Sequence, residues 1–211
     1  MFEFDPKLIE YGIATASFLT GAYFGIKKVK DKLFSNKKKK EGKQYWNIHS
    51  EIHEILTELR IRTDAARAQI IQFHNGEYFM DGVSMKKMSL THESLRSGIS
   101  AEVYQKKDVL ISAYIDFIRS ILDTKYKFEI VAVMKESYQK QLFISSNVIA
   151  YMAVPLQSKG VNVGYAIVHW CSDEKVSQLK EQYAAEEMKY AKDRIEVQLS
   201  HQIALGKPWK I

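Results

Sequence analysis

The hydrophobic pattern changes once along this chain, near residue 43. Before that point, residues 8–26 form an almost unbroken apolar run in which Glu10 is the one charged side chain. A helix over this run would be roughly 28 Å long, close to the ~30 Å hydrocarbon core of a bilayer. After that point, apolar residues recur at helical or alternating spacing, which is typical of a domain that folds in water. The pattern therefore predicts a transmembrane helix at 8–26, with an amphipathic helix in the membrane interface as the alternative.

Charge gives the predicted membrane helix an orientation. Between residues 27 and 43 nine Lys stand against two acidic residues, a net charge of +7, whereas the whole chain carries +6, so the rest sums to −1. Because positive flanks stay in the cytoplasm, we expect segment 1–7 outside and the domain inside, at the inner membrane. A signal peptide is disfavoured because the basic residues follow the apolar run. The lysines expected at the membrane surface are Lys27, Lys28, Lys30, Lys37, Lys38, Lys39 and Lys40.

Composition narrows the function classes further. The 211 residues allow one domain of ordinary size behind the apolar run, and 46% hydrophobic residues can fill a core. Cys171 is the one cysteine of the sequence, which excludes an internal disulfide and fits a reducing compartment. The sequence has no phosphate-binding glycine loop of the Walker type and no cysteines at zinc spacing. Because the positive charge is confined to the linker 27–43, nucleic acid is an unfavoured partner.

A connecting helix is predicted at 44–66. Five apolar residues there are spaced by three and four, as in a heptad seam. The seam either packs on the chain's own domain or forms a parallel dimer stalk, and the spacing does not choose between the two. His49 and His53 share a helix face at a spacing that can hold a metal, but we expect two solvent-facing histidines and assign no metal site. The seam residues are Tyr45, Ile48, Ile52, Ile55 and Leu59.

The middle of the chain gives weaker signals. We expect a strand at 68–74 ended by the turn signal Asn75-Gly76, and another strand in the second half of 84–93. The segments 109–114 and 128–134 are apolar, but their type stays open. Helices are expected through Leu95, Ile99 and Val103, and at 116–122.

The clearest local pattern is a β-hairpin near the end of the chain. Residues 148–156 and 161–170 form two apolar strand patterns, and Ser158-Lys159-Gly160 between them is a turn signal. A terminal helix should follow from about Asp173, a plausible N-cap. Gly206 and Pro208 should end that helix, which leaves a tail at 206–211.

The hairpin resembles the last hairpin of GAF domains, where a strand ending in Val-Pro-Leu or Val-Pro-Ile turns through a Gly and returns as hydrophobic-Gly-hydrophobic. Val154-Pro155-Leu156 and Val163-Gly164-Tyr165 occupy those places. The resemblance implies an α+β fold at 67–205, with an antiparallel sheet, flanking N- and C-terminal helices on one face and a pocket on the other. It also implies a module that binds a small molecule or dimerises. No Cys stands where bilin attachment would be expected, and no cofactor can be named.

Polar side chains near the predicted strand ends supply the candidate site. Such groups converging at a pocket mouth can orient a ligand. We therefore predict a membrane-anchored, cytoplasm-facing, GAF-like binding or sensory module, homodimeric and without catalytic residues. One alternative is a bacterial or phage adaptor that organises a partner at the membrane without a small ligand, and another is a metal-dependent or hydrolytic enzyme using the His74/His92 region. The candidate ligand-binding residues are His74, Asn75, Glu77, Asp81, Ser89, His92 and Glu93.

Overall fold

The computed structural model describes residues 27, 28, 30, 32, 44–78 and 84–205. The chain divides into two compact units, Met1–Trp46 and Asn47–Ile211. In the first unit, residues 27, 28, 30 and 32 are helical. The predicted membrane segment 8–26, the lysines at 37–40 and the tail 206–211 lie outside the described residues. Within the described part of the chain, no helix is long and apolar enough to cross a membrane.

The described elements are helices, short 3₁₀ turns and antiparallel strands. Helix α1 spans residues 44–62. The elements that follow are β1 (Arg67–Tyr78), β2 (Ser84–Leu95), β3 (Val109–Leu110), a 3₁₀ turn (Ile111–Tyr114), α2 (Ile115–Leu122), β4 (Lys127–Ile130), a 3₁₀ turn (Val131–Val133), α3 (Tyr138–Ser145), β5 (Ala150–Ser158), β6 (Val161–Trp170), α4 (Asp173–Ser177) and α5 (Glu181–Leu205).

The strands form one six-stranded antiparallel sheet in the order β3-β2-β1-β6-β5-β4. The predicted hairpin is confirmed as β5 and β6. Its turn places Lys159 and Gly160 at positive φ, 53° and 76°, and Gly adopts this conformation without steric cost. Neighbouring side chains of each strand point to opposite sides of the sheet. Both sides are buried, so the domain has two hydrophobic cores, one on each face of the sheet.

The first face of the sheet is covered by α1 and α5. Ile48, Ile52, Ile55 and Leu59 of the heptad seam are buried there against the domain's own strands. Each such side chain contributes about 1.5–3 kcal/mol of burial free energy. Trp170 Nε1 also donates a 2.9 Å hydrogen bond to the Thr63 carbonyl oxygen, just beyond the end of α1. The seam therefore has the first of its two predicted roles, packing within its own domain.

The second face is covered by α2, α3 and the segments around them. Its core is strongly aromatic: Phe117 packs within 5.7 Å of Phe143 and 5.5 Å of Tyr151, measured between ring centroids. The predicted helix at 116–122 is confirmed as α2, whose Phe117, Ile118 and Ile121 are buried. Helix α3 was not predicted; Ser137 caps it by accepting a hydrogen bond from the Lys140 backbone N–H. This is the face on which the sequence predicted a pocket.

Three predictions about local structure are wrong. Asn75-Gly76 does not end β1, because Asn75 pairs with Lys86 in the β1–β2 ladder and the strand continues to Tyr78. No helix follows Leu95; residues 96–108 form turns and irregular structure. The terminal helix is two helices, α4 and α5, and its N-cap position is Ser172, with Asp173 in the first turn.

Candidate functional site

The predicted site residues do not gather at one place, and His92 and Glu93 show why. They are neighbours on β2, so their side chains point to opposite faces of the sheet. His92 lies opposite Ile70 on the face covered by α1, whereas Glu93 lies opposite Gln69 on the aromatic face. The sequence pattern placed both residues correctly in a strand region but could not assign their faces.

His92 contacts the first helix. Its Nε2 lies 2.7 Å from His49 Nδ1, and the two rings are stacked with centroids 4.9 Å apart. Burial lowers the pKa of His92 to about 4, and the nearby charges of His49 and His53 act in the same direction. The expectation of two solvent-facing histidines on α1 is therefore wrong for His49, which is half-buried, and right for His53.

His74, Asn75 and Ser89 lie elsewhere, where β1 and β2 extend beyond β6. His74 Nε2 is 2.9 Å from Ser89 Oγ, and Lys86 Nζ donates to Asn75 Oδ1 at 2.7 Å. Ile70 is the β1 residue that pairs with His92, and His74 lies four residues further along the same strand. Four residues of extended strand span about 13 Å. Asp81 and the side chain of Glu77 lie outside the described residues. The predicted pairing of His74 with His92 does not form.

Glu93 belongs to a buried polar cluster that the sequence did not predict. Its carboxylate accepts a 2.6 Å hydrogen bond from Gln69 Nε2 and a 3.1 Å bond from the Glu102 backbone N–H. Gln69 Nε2 also donates to Glu102 Oε2 at 2.8 Å, and Lys106 Nζ donates to the same oxygen at 2.6 Å. Arg67 NH1 lies 3.8 Å from Glu102 Oε1. Together with His169, we call these residues the Glu102 cluster.

Charge within the Glu102 cluster is balanced. Burial by itself raises the pKa of Glu102, but the Lys106 ammonium and the hydrogen bonds from Lys106 and Gln69 lower it to about 2. Glu102 is therefore ionised at neutral pH. Two cations, Arg67 and Lys106, face two carboxylates, Glu93 and Glu102. Buried ion groups of this kind persist when each charge is paired and hydrogen-bonded.

His169 is the unsatisfied member of the cluster. It is 1% exposed, and neither ring nitrogen has a hydrogen-bond partner among the residues that the structure describes. Burial lowers the pKa of His169 well below its ordinary value, so the ring is neutral. Gln69 Oε1 likewise has no partner in the described part of the chain; both carboxylates accept from its Nε2, which fixes the orientation of the amide. Buried polar atoms without partners are uncommon and call for an explanation.

These unsatisfied groups line a small cavity on the aromatic face. The cavity measures about 20 Å³, and Gln69, His169, Lys106 and Gln139 supply its polar lining. A volume of this size holds about one water molecule. The remaining lining is apolar and comes from Ile71, Met88, Val109, Tyr114, Phe117, Phe143, Tyr165 and Ile167.

The Glu102 cluster presents hydrogen-bond donors and acceptors to its cavity. No group of three or more His, Cys, Asp or Glu side chains within residues 44–78 and 84–205 is placed to hold a metal ion. The signal that could have found the cluster is polarity at inward positions: Arg67 and Gln69 alternate with Ala68 and Ile70, and His169 ends an apolar strand. Glu102 and Lys106 had no such signal, because they lie in irregular structure.

Comparison with solved structures bears on the fold. A crystal structure of a far-red cyanobacteriochrome photoreceptor matches with a TM-score of 0.54 and 12% identity, over 82% of this chain and 98% of that one. The chain has a GAF-like fold. The GAF domain of a two-component sensor histidine kinase from Bacillus halodurans matches with a TM-score of 0.50 and 13% identity, over 75% of this chain and 97% of that one. No protein-family model and no curated protein matches the sequence.

The GAF-like likeness confirms the predicted α+β class and the antiparallel sheet with flanking helices. At 12–13% identity, however, the likeness extends to the fold alone. Function must therefore be argued from the site itself.

Proposed function

We propose that this chain is a GAF-like sensory module that binds a small polar molecule at the Glu102 cluster. The proposal rests on one observation. Both His169 nitrogens and Gln69 Oε1 lack hydrogen-bond partners among the described residues, and both side chains line the same cavity. A ligand with both donors and acceptors would satisfy all three atoms. The two similar structures, a photoreceptor and a sensor kinase domain, are in keeping with a sensory role.

The volume of the cavity limits the size of the ligand that this conformation can hold. Pockets for small molecules and cofactors usually measure about 300–1,000 Å³, whereas this one measures about 20 Å³. A bilin or a nucleotide would require the aromatic core around Phe117 and Phe143 to repack. The proposed ligand is therefore small, or it enters when residues 99–105 move away.

The same cavity favours a second candidate, the adaptor. A GAF-like domain whose pocket is filled by its own side chains could recruit a partner protein without any ligand. In that case one buried water would bond to Gln69 Oε1 and to one of the two His169 nitrogens. The enzyme alternative gains no support, because the geometry keeps His74 and His92 apart.

The ligand test is native mass spectrometry of the full chain released gently from detergent. We expect an added mass on the wild-type protein that is absent from Gln69→Leu, since this change removes both the donor and the acceptor of the amide. Gln182→Leu, on the exposed surface of α5, should keep the added mass. A wild-type protein of bare mass that also shows no thermal shift with any small polar compound would favour the adaptor instead.

We further propose that segment 8–26 holds the domain at the cytoplasmic face of the inner membrane. The support is the length of the apolar run and the basic flank that follows it. The full chain should sediment with membranes and resist a carbonate wash. Leu19→Arg should move most of it to the soluble fraction, because an arginine at the centre of a membrane helix costs about 2.5–3.5 kcal/mol. Unchanged sedimentation of this variant would count against the anchor.

A further inference from the structure

Glu102 stands in the Glu102 cluster as a ligand's carboxylate would. Its side chain is 4% exposed and is held by charged and amide donors, Lys106 Nζ at 2.6 Å and Gln69 Nε2 at 2.8 Å, with the Arg67 guanidinium at 3.8 Å. Yet it comes from an irregular segment at the surface, where Tyr104 two residues later is 91% exposed. A buried carboxylate is thus inserted from outside into a group of donors that belongs largely to the sheet.

We propose that Glu102 is an internal plug, and that a small carboxylate carrying a neighbouring hydroxyl group replaces it when residues 99–105 move outward. This inference rests on the proposed sensory function and names the class of its ligand. The exchange would convert occupancy of the site into a change in the surface segment that carries Tyr104.

The donors are placed to remain when the plug leaves. Arg67 and Gln69 are fixed in β1, which pairs with β2 on one side and with β6 on the other. Lys106 is held on β2 by a 2.8 Å hydrogen bond from the Leu90 backbone N–H to the Lys106 carbonyl oxygen. Between these anchors, Arg67 Nε donates a long, 3.4 Å bond to the Ser100 carbonyl oxygen. Outward movement of residues 99–105 breaks the bonds from the Glu102 backbone N–H to the Glu93 carboxylate and from the Lys106 backbone N–H to the Glu102 carbonyl oxygen. The side chains of Arg67 and Gln69 and the anchor of Lys106 to Leu90 stay in place.

Charge and hydrogen bonding specify the replacement. Without Glu102, the cations Arg67 and Lys106 face Glu93 alone, which leaves a buried excess of one positive charge that a single carboxylate neutralises. The unsatisfied Gln69 Oε1 requires a donor, and the neutral His169 ring offers one donor and one acceptor. A hydroxyl group beside the carboxylate can donate to Gln69 Oε1 and accept from the His169 N–H without adding charge, whereas a simple carboxylate meets only the charge requirement.

The test uses chemical rescue in the full chain, purified in detergent. Glu102→Ala should unfold at a lower temperature than wild type. Sodium acetate should raise its Tm saturably by about 4 °C or more, and glycolate should do so at lower concentration. Sodium chloride at the same ionic strength should not. The matched control is Glu129→Ala, which removes a half-buried carboxylate that accepts from Tyr151 and lies outside the cluster; neither acid should rescue it.

Two results would overturn the plug. One is a folded Glu102→Ala that responds to acetate and glycolate no more than Glu129→Ala does. The other comes from Glu102→Gln, which keeps the shape of the side chain and serves if the alanine variant does not fold. Because the neutral amide is held less tightly by Lys106 and Arg67, we expect this variant to bind glycolate at least 10-fold more tightly than wild type in calorimetry. Equal affinities, or no binding by either protein, would contradict the proposal.

The outcomes separate this inference from the sensory proposal. One outcome is that wild type retains a ligand that has no carboxylate while neither acetate nor glycolate raises the Tm of Glu102→Ala. That result would support the sensory function and contradict the plug. If Glu102→Ala is rescued while wild type neither retains nor binds any small molecule, the carboxylate site stands and the sensory function fails.

Discussion

Gly164 of β6 lies directly against the backbone of β1 at Ile71. A Cβ atom built on Gly164 would stand 2.0 Å from the Ile71 carbonyl oxygen, and the residue has a φ of 157°. Such a distance is far below van der Waals contact, and the obstacle is backbone that cannot rotate away. The glycine of the hydrophobic-Gly-hydrophobic pattern is therefore the residue that lets β6 approach β1.

Gly164→Ala should accordingly destabilise the fold by about 3 kcal/mol or more, as overpacking and backbone strain combine. The measurement is urea unfolding followed by circular dichroism. Gly160→Ala is the control, because Gly160 also has a positive φ but no atom within 4 Å of its built Cβ. That change should cost only about 1 kcal/mol. Equal losses in the two variants would show that conformation, and not close approach, constrains Gly164.

Stability should fall with acidity because of His92. Its pKa of about 4 lies below the 6.5 of an unfolded histidine, so the fold favours the neutral ring. The stability from this group is fully present above pH 6.5 and is lost as the pH falls from 6.5 towards 4. The loss amounts to about 3 kcal/mol at most.

Unfolding free energies measured between pH 7 and pH 4 check the His92 prediction. Other groups also titrate in this range, so the relevant quantity is the difference between wild type and His92→Gln. The variant should lose less stability on acidification, whereas Asn47→Ala, an uncharged change at an exposed position of α1, should follow wild type. Parallel pH profiles for all three proteins would contradict the prediction.

Trp170 should stabilise the fold by more than the burial of its apolar surface alone would provide. Its ring is 1% exposed, and Nε1 bonds to the Thr63 carbonyl oxygen at 2.9 Å. Trp170→Phe leaves that oxygen without its donor and opens space in the core, so we expect a loss of about 2–4 kcal/mol. Trp46→Phe, at a position 70% exposed, should change the unfolding free energy by less than about 0.5 kcal/mol. A small effect at Trp170 would mean that water replaces the lost donor.

The heptad seam should behave as domain core. Ile52 is fully buried, whereas Ile61 on the same helix is 63% exposed. Ile52→Ala should therefore cost about 2–5 kcal/mol of unfolding free energy, and Ile61→Ala should cost little. Both are measured by thermal unfolding and checked by light scattering. If Ile52→Ala changed the oligomeric state but not the stability at fixed protomer concentration, the seam would be a dimer stalk after all.

Local pattern was sufficient for several parts of this fold. The alternation and turn residues at 148–170 predicted the β5–β6 hairpin, and the Val-Pro-Leu and Val-Gly-Tyr motifs pointed to GAF domains. The three- and four-residue spacing in α1 and the apolar cluster at 116–122 predicted helices. These features depend on contacts between residues close in sequence, whose periodicity is visible without the rest of the chain.

The candidate site depended on contacts between residues far apart in the chain, which no local sequence pattern reveals. Gln69 meets Glu102 across 33 residues, and His49 meets His92 across 43. Which face His92 and Glu93 present follows from the register of β2 against β1, where an irregularity falls beside Ile70 and Ile71. A shift of one residue in that register would exchange the two faces. The sequence by itself determined α1, α2 and the GAF-like hairpin. The tertiary structure decided which polar side chains meet, because long-range pairing and strand register set those contacts.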